Sequence, residues 1–101
     1  MNHEKLMSYK ELMVVADGLA KGMTKWPRGH GYLIDQIRRA MSSAVLLLAE
    51  GNGKSGSHRE RRRFFEMALG SIAEVAAGLD LAFAFGLISK ANLDGYKSRL
   101  R

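Results

Sequence analysis

Apolar residues recur every three or four positions in four stretches of this chain, and polar or glycine-rich segments separate the stretches. That period is typical of amphipathic helices. The first stripe consists of Leu12, Ala16, Leu19 and Met23. Ser8 and Glu11 fit a capping box at the start of this helix. Trp26-Pro27 predicts its end, because the residue before a proline avoids the α region.

The second helix is predicted from Tyr32 to Glu50 and carries two neighbouring apolar stripes. One stripe consists of Leu33, Ile37, Ala40, Ala44 and Leu47, and the other of Ile34, Met41, Val45 and Leu48. Together they make an apolar arc that is wider than a surface helix of a monomer needs. Gly51 suits the left-handed residue that closes a helix, and a flexible polar turn over residues 52–56 follows it.

The third and fourth helices differ greatly in predicted length. Ser57 and Glu60 fit a second capping box, and the third helix is predicted to extend to Phe85, with Gly86 as its stop. Its main stripe consists of Phe64, Ala68, Ile72, Val75, Leu79 and Ala82. Ser89 is the expected cap of a fourth helix, which spans only about 18 Å. This helix carries Leu93, Tyr96 and Leu100.

These elements predict one all-α domain over residues 1–101, an antiparallel up-down-up-down four-helix bundle with a short fourth helix. The composition agrees, because 47% of the residues are apolar and 26% are charged, as in globular proteins. Cysteine is absent, which excludes a disulfide framework and thiolate chemistry. No N-terminal apolar run resembles a signal peptide, and the apolar run at 40–49 is about half as long as a bilayer requires. We therefore expect a cytoplasmic protein without a membrane partner.

The distribution of apolar residues also predicts self-association. The short fourth helix covers the third helix near Leu79 to Phe85 and leaves the half near Phe64 and Phe65 without a cover. Exposed apolar patches of this kind usually mark an interface. The predicted oligomer interface consists of Ile34, Met41, Val45, Leu48, Phe64 and Phe65.

Positive charge is concentrated at the predicted start of the third helix. The formal net charge is +6, and five cations against Glu60 in the ten residues 54–63 give 5 − 1 = +4. This concentration indicates an anionic partner such as a membrane surface or nucleic acid (RNA, DNA or an RNA–DNA hybrid), and a solvated helix start explains it equally well. The candidate nucleic-acid-binding residues are Lys54, His58, Arg59, Arg61, Arg62 and Arg63. No aromatic residue precedes Phe64 there, so the pattern predicts salt-sensitive, sequence-independent phosphate contact with little base stacking.

Other chemistry-bearing residues favour a structural role. We expect Arg38, Arg39, Glu50 and Glu74 to form ion pairs within or between subunits, in preference to a carboxylate site. The three histidines, His3, His30 and His58, share no ligand spacing. Neither a Walker spacing of glycines nor a serine–histidine pairing is present. We therefore expect no enzymatic activity, no metal and no cofactor.

Several segments resemble one family of small bacterial four-helix-bundle proteins, related to those encoded in intervening sequences of 23S ribosomal RNA genes. The matching segments are Gln36-Ile37-Arg38-Arg39-Ala40, Leu48-Ala49-Glu50-Gly51, Ala68-Leu69-Gly70-Ser71 with Glu74, Trp26-Pro27 and Phe85-Gly86-Leu87-Ile88. The resemblance extends from about Tyr9 to Tyr96. The chain departs from the family in having Val45 and Leu47 where proline and asparagine are usual, and in its shorter fourth helix.

The resemblance implies an up-down-up-down bundle that assembles as a homopentamer. A related branch serves diversity-generating retroelements, in which a basic pentamer binds nucleic acid and a reverse transcriptase. Two functions are therefore open at this point. One is an oligomeric nucleic-acid-binding accessory protein, and the other is a structural bundle whose basic turn contacts an acidic protein partner.

Overall fold

The computed structural model describes residues 3–53 and 57–100, with side chains from Tyr9 onward. These ranges contain four helices and no strand: α1 (His3–Met23), α2 (Gly31–Gly53), α3 (His58–Ala84) and α4 (Lys90–Leu100). Each helix packs against its neighbours in the order α1, α2, α3, α4, and α4 returns to α1. The predicted all-α four-helix architecture with a short last helix is confirmed.

Two ion pairs show how α4 lies on the bundle. Lys97 Nζ is 2.9 Å from Asp80 Oδ1 on α3, and Arg99 Nη1 is 2.8 Å from Glu11 Oε2 on α1. Tyr96 meanwhile contacts α1 beside Gly18, and Lys90 Nζ lies 5.8 Å from the centroid of the Phe83 ring on α3. Since α4 residues that come later in the chain meet earlier residues of α1 and α3, α4 runs antiparallel to both. Ile37 lies beside Gly78 and Gly51 beside Phe65, so α2 and α3 are antiparallel as well, and the bundle is up-down-up-down.

The core draws apolar side chains from all four helices, and its largest fully buried members are Leu12, Val15, Ile37, Val75 and Leu79. The predicted stripes of α1, α2 and α3 supply most of them. Val15, which the predicted stripe of α1 omitted, is completely buried. Leu93 is the buried residue that α4 contributes to the core.

Three predicted helix ends are confirmed. Ser57 is the N-cap of α3, and its Oγ accepts a hydrogen bond from the Glu60 amide. Ser89 Oγ accepts in the same way from the Asn92 amide at the start of α4. Gly86 has a φ of 75°, which lies in the left-handed region. Glycine adopts this conformation after a helix without the clash that a Cβ would cause.

The predicted start of α1 is wrong. The helix begins at His3, so Ser8 lies inside it and is not the N-cap. Residues 4–7 are glutamate, lysine, leucine and methionine, all good helix formers, and nothing among them stops the helix. The Glu11 carboxylate accepts a hydrogen bond from Arg99 instead of completing a capping box.

The predicted end of α2 is also wrong. The helix continues through Gly51 to Gly53, and Gly51 is buried with an ordinary helical φ. A Cβ on Gly51 would lie 2.8 Å from Phe65 Cε1 and 3.2 Å from Phe64 Cβ. Glycine therefore allows α2 and α3 to approach each other closely, a role that the sequence does not distinguish from a helix stop. The remaining residues of the predicted turn, 54–56, lie outside the described ranges.

Both apolar stripes of α2 are used within the monomer, which corrects the first argument for self-association. Met41 and Leu48, assigned to the oligomer interface, are buried, while Ile34 and Val45 pack against the core half-buried. The physical reason is that α2 contacts α1 and α3 together, so a wide arc is covered. The exposed large apolar side chains are Met13, Val14, Tyr32, Leu46, Met67, Leu69, Leu81, Phe83 and Phe85.

The second argument for self-association is corrected as well, because Phe64 and Phe65 are half-buried. The ring of Phe65 packs against the core, beside the space that a Gly51 Cβ would fill. By length and composition alone, α3 is apolar enough to cross a membrane, and 33% of its apolar window is buried in the bundle. Core helices of soluble proteins meet the same criterion, so one such helix is weak support for a membrane segment. Much of the apolar surface of α3 thus remains outside the core.

Candidate nucleic-acid interface

The first turn of α3 fixes the geometry of the basic cluster. Ser57 has an extended backbone, with φ −116° and ψ 106°, and its Oγ lies 3.2 Å from the Glu60 amide nitrogen. The Arg61 amide donates to the Ser57 carbonyl at 3.1 Å. Helical geometry begins at once after Ser57, so the basic side chains that follow it project around the helix at about 100° per residue.

The structure divides the predicted binding residues by exposure. His58, Arg59, Arg62 and Arg63 are exposed. Arg61 is half-buried, and it precedes the core residue Ala68 by seven positions, which places both on the same face of α3. The buried Nε of Arg61 has no hydrogen-bond partner in the described part of the chain. Three exposed arginines therefore form the accessible part of the cluster. Lys54 lies outside the described residues.

Two open clefts surround the start of α3. The larger, of about 850 Å³, is lined by His58, Arg59, Arg61, Arg62, Phe65, Glu66 and Leu69. The second, of about 530 Å³, is lined by Ser57, Arg59, Glu60, Arg62, Arg63 and Glu66. Arg59 and Arg62 line both clefts, so an anion on either side of the helix start meets a guanidinium group.

Phe65 is the site residue whose placement the sequence did not predict. It lines the larger cleft together with Arg61 and Arg62, although it follows the arginines in the chain. The helical period explains this position, because His58, Arg62, Phe65 and Leu69 lie at spacings of four, three and four residues on one face. That spacing could have revealed the apolar wall of the cleft. An aromatic ring beside guanidinium groups can pack against a nucleobase.

The electrostatics of the helix start favour an external anion. Four arginines against Glu60 and Glu66 give residues 57–66 a formal charge of 4 − 2 = +2. Among the described residues, the arginines of this segment take part in no ion pair, since the ion pairs found lie on α1, on α4 and between α4 and its neighbours. The guanidinium groups thus keep their hydrogen-bonding capacity for phosphate, which they can bind in a bidentate geometry.

The expected ion-pair network of α2 and α3 is not found among the described residues. Arg38, Arg39, Glu50 and Glu74 are all exposed, and none is paired among the described residues. All four project from the outer faces of their helices, where water screens them. The ion pairs that join different helices are instead those of α4. The sequence did not predict them, because they depend on how α4 is aligned along α1 and α3.

Among the side chains that the structure describes, the histidines and serines make contacts of a structural kind. No cluster of three His, Cys, Asp or Glu residues suited to a metal ion occurs among the described residues. The ring of His30 stacks on Phe85 with centroids 6.1 Å apart. Ser43 Oγ and Ser71 Oγ are 2.9 Å apart between α2 and α3, so their hydroxyls satisfy each other. These contacts indicate structural roles.

Comparison with known proteins identifies one family. A sequence model of the family described as 23S rRNA-intervening sequence protein matches residues 4–101. The match includes all four helices, the basic start of α3 and the short α4. A search of curated proteins finds no match.

Proposed function

Because the chain belongs to the 23S rRNA-intervening sequence protein family, we propose that it is a non-enzymatic, oligomeric four-helix-bundle protein that binds nucleic acid through the start of α3. The observation that carries this proposal is the cluster of Arg59, Arg62 and Arg63. These side chains are exposed, unpaired among the described residues, and line two adjoining clefts.

The arrangement favours phosphate contact over base reading. The arginines project around one helix turn and can each bind a different phosphate group of a single backbone. Phe65 and Leu69 offer an apolar wall in the larger cleft, where an unstacked base of a single strand would fit. We therefore expect sequence-independent binding of RNA, DNA or an RNA–DNA hybrid, with a preference for unpaired segments.

Self-association would strengthen such binding. A ring of five copies is the assembly that the family resemblance implies, and each copy would add one basic helix start. Linked sites convert weak single contacts into strong overall binding through effective concentration. Action beside a reverse transcriptase or another RNA element in the cytoplasm is the role that we propose on the same resemblance. A reverse transcriptase gene adjacent to the gene for this chain would support that role.

Fluorescence anisotropy with labelled RNA, DNA and RNA–DNA hybrid of equal length tests nucleic-acid binding. Replacing Arg59, Arg62 and Arg63 with serine should weaken binding and reduce the slope of log K against log salt by about one unit per lost phosphate contact. Replacing Lys10, Lys25 and Arg28 with serine removes the same charge from exposed positions elsewhere and should leave most of the affinity intact. If the wild-type chain binds none of the three ligands at low salt, or if both triple variants lose affinity equally, the proposed site is refuted.

A protein-binding function is the second candidate, and the mixed lining of the larger cleft favours it. Phe65 and Leu69 beside Arg62 would also accept an acidic amphipathic helix from a protein partner. Such an interaction would show a weaker salt dependence than nucleic-acid binding and would lose affinity on Leu69→Ser. Nucleic-acid binding that is lost on the arginine substitutions, and whose salt slope falls with them, would favour the first function over this alternative.

The absence of catalytic activity is part of the proposal. Glu50 and Glu74 are exposed carboxylates on different helices and have no ionic partner among the described residues. We expect purified protein to leave RNA and DNA intact in the presence of Mg²⁺ or Mn²⁺. A nuclease activity that disappears on Glu50→Gln or Glu74→Gln would contradict this expectation.

A further inference from the structure

The outer side of the contact between α2 and α3 carries an exposed surface that is both apolar and charged. Its centre is marked by the hydrogen bond between Ser43 and Ser71. The exposed residues that border this contact are Arg39, Leu46, Met67, Glu74 and Leu81, which we call the seam face. Leu46 is 68% exposed, and Met67 and Leu81 are 44% and 48% exposed.

Helical geometry determines which residues of the seam face lie opposite each other. Arg39 precedes Ser43 by four residues and Glu74 follows Ser71 by three, so both lie one turn from the serine contact toward the same end. By the same argument, Leu46 and Met67 lie one turn away toward the other end. The seam face thus presents Arg39 on α2 level with Glu74 on α3, and Leu46 on α2 level with Met67 on α3.

Neither charge on the seam face has an ionic partner in the part of the chain that the structure describes. Arg39 and Glu74 are exposed, and among the described residues neither takes part in an ion pair. One positive and one negative charge make this face neutral, unlike the basic start of α3. An anionic polymer or membrane surface therefore has no electrostatic reason to choose it. A surface that also carries one positive and one negative charge can pair with both charges of the seam face. A second copy of this chain provides such a surface.

The accessible surface area of the chain is larger than that expected for a compact monomer of the same mass. The accessible surface of the chain is 6700 Å². A folded monomer of 11.2 kDa is expected to expose about 5,700 Å². A chain with this much surface is suited to cover part of it with a partner, and a standard protein–protein interface covers about 800 Å² on each partner. The exposed apolar residues of the seam face are the kind that such an interface buries at its centre.

We infer that the seam face binds a second copy of this chain, with the α2 side of one copy against the α3 side of the other. In that arrangement Arg39 pairs with Glu74 of the other copy, and Leu46 packs on the other copy's Met67. This inference rests on the proposed function, which includes self-association. It adds the surface through which two copies bind and the alignment of their helices. It places the interface away from Phe64, Met41 and Leu48, which the monomer already half-buries or buries.

Size-exclusion chromatography with light scattering, at micromolar protein, tests the surface. Leu46→Lys should lower the measured mass toward the 11.2 kDa of one chain. The matched control is Val14→Lys, which introduces the same charge at a 49% exposed residue of α1 and should leave the mass unchanged. Far-UV circular dichroism confirms that both variants remain helical. A wild-type mass that Leu46→Lys does not change refutes the seam face and leaves the proposed oligomer and nucleic-acid binding intact.

A mixing experiment tests the alignment. Arg39→Glu alone places two negative charges opposite each other between identical copies, and Glu74→Arg alone places two positive charges there. Each variant should self-associate at least about tenfold more weakly than the wild type. An equimolar mixture of the two variants restores opposite charges between chains and should regain the higher mass, whereas a contact within one chain would gain nothing from mixing. Failure of the mixture to reassociate overturns the α2-to-α3 alignment.

A monomeric wild-type chain would overturn the inference together with the oligomeric part of the proposed function. The anisotropy titration of the arginine variants reads out nucleic-acid binding independently of mass. The two failures are therefore distinguishable.

Discussion

Two glycines determine how closely α2 and α3 approach. Gly51 and Gly78 are both buried, and at each a Cβ would come within 3 Å of a side-chain atom of the other helix. Protein interiors are close-packed, so an added methyl group displaces a neighbour at a cost in strain. Close packing at these positions requires a residue without a side chain. Backbone freedom is not the reason for glycine, because both glycines have an ordinary helical φ.

Gly78→Ala should destabilise the fold by about 1–3 kcal/mol, because the new Cβ would lie 2.7 Å from the Cγ1 of the buried Ile37. The control is Gly95→Ala in α4, where a Cβ meets nothing within 4 Å. That change should stabilise the helix by up to about 1 kcal/mol through helix propensity alone. Urea denaturation followed by circular dichroism measures both changes. Equal effects of the two substitutions would show that close approach at Gly78 is unimportant.

At the scale of the helices, α4 is attached by the buried Leu93, by Tyr96 and Leu100 that pack half-buried against the core, and by two partly exposed ion pairs. Leu93 is 4% exposed. The side chains of Lys97 and Asp80 are 32% and 53% exposed, and those of Arg99 and Glu11 are 48% and 40% exposed. Ion pairs in contact with water contribute about 0–1 kcal/mol, whereas truncating a buried leucine costs about 2–5 kcal/mol. The apolar contacts, of which Leu93 is the most buried, therefore dominate the attachment, and the ion pairs fix the alignment.

Leu93→Ala should cost about 2–4 kcal/mol and should increase amide hydrogen exchange throughout α4. Arg99→Ala, which removes the contact with Glu11 and leaves the core intact, should cost less than about 1 kcal/mol. Hydrogen exchange with mass spectrometry resolves the α4 peptides in both variants. The reverse order of effects would mean that the ion pairs, and not the apolar contact, hold α4 in place.

Helix identity and most helix ends could be predicted from local sequence, because the apolar period and the caps at Ser57 and Ser89 act within a few residues. The role of Gly51 could not, since a buried contact with Phe65 and a left-handed helix stop both require glycine. The basic cluster was located correctly along the chain. Its division into exposed Arg62 and inward Arg61 depends on where the core lies, which the local sequence does not specify.

At the scale of the whole molecule, the chain is longer and more open than a compact domain. Its principal extents are 47 × 23 × 18 Å, and its radius of gyration is 14.2 Å. A compact domain of this length has a radius of gyration of about 13 Å. Exposed apolar residues on α3, such as Leu69 and Phe83, agree with this open shape. Burial between subunits would compensate for a core that is thin relative to its surface.

If folding and self-association are coupled, the melting temperature should depend on protein concentration. A tenfold increase in concentration should raise the melting temperature by about 3–8 °C, because mass action favours the associated folded state. Differential scanning calorimetry from micromolar to millimolar protein measures the shift. A melting temperature that is independent of concentration would indicate that the monomer folds alone and that association adds nothing to its stability.

The pairing of α2 with α3 has a kinetic consequence. These helices are consecutive in the chain and make the most extensive contact in the bundle, whereas α1 and α4 meet across almost the entire chain length. Contacts between nearby residues lose little loop entropy and form early, so the α2–α3 hairpin is expected to be the folding nucleus, with α4 docking last. Ile37→Val should then slow refolding, and Leu93→Ala should chiefly accelerate unfolding, as stopped-flow chevron plots would resolve. Refolding slowed equally by both substitutions would instead indicate a transition state in which all four helices have already assembled.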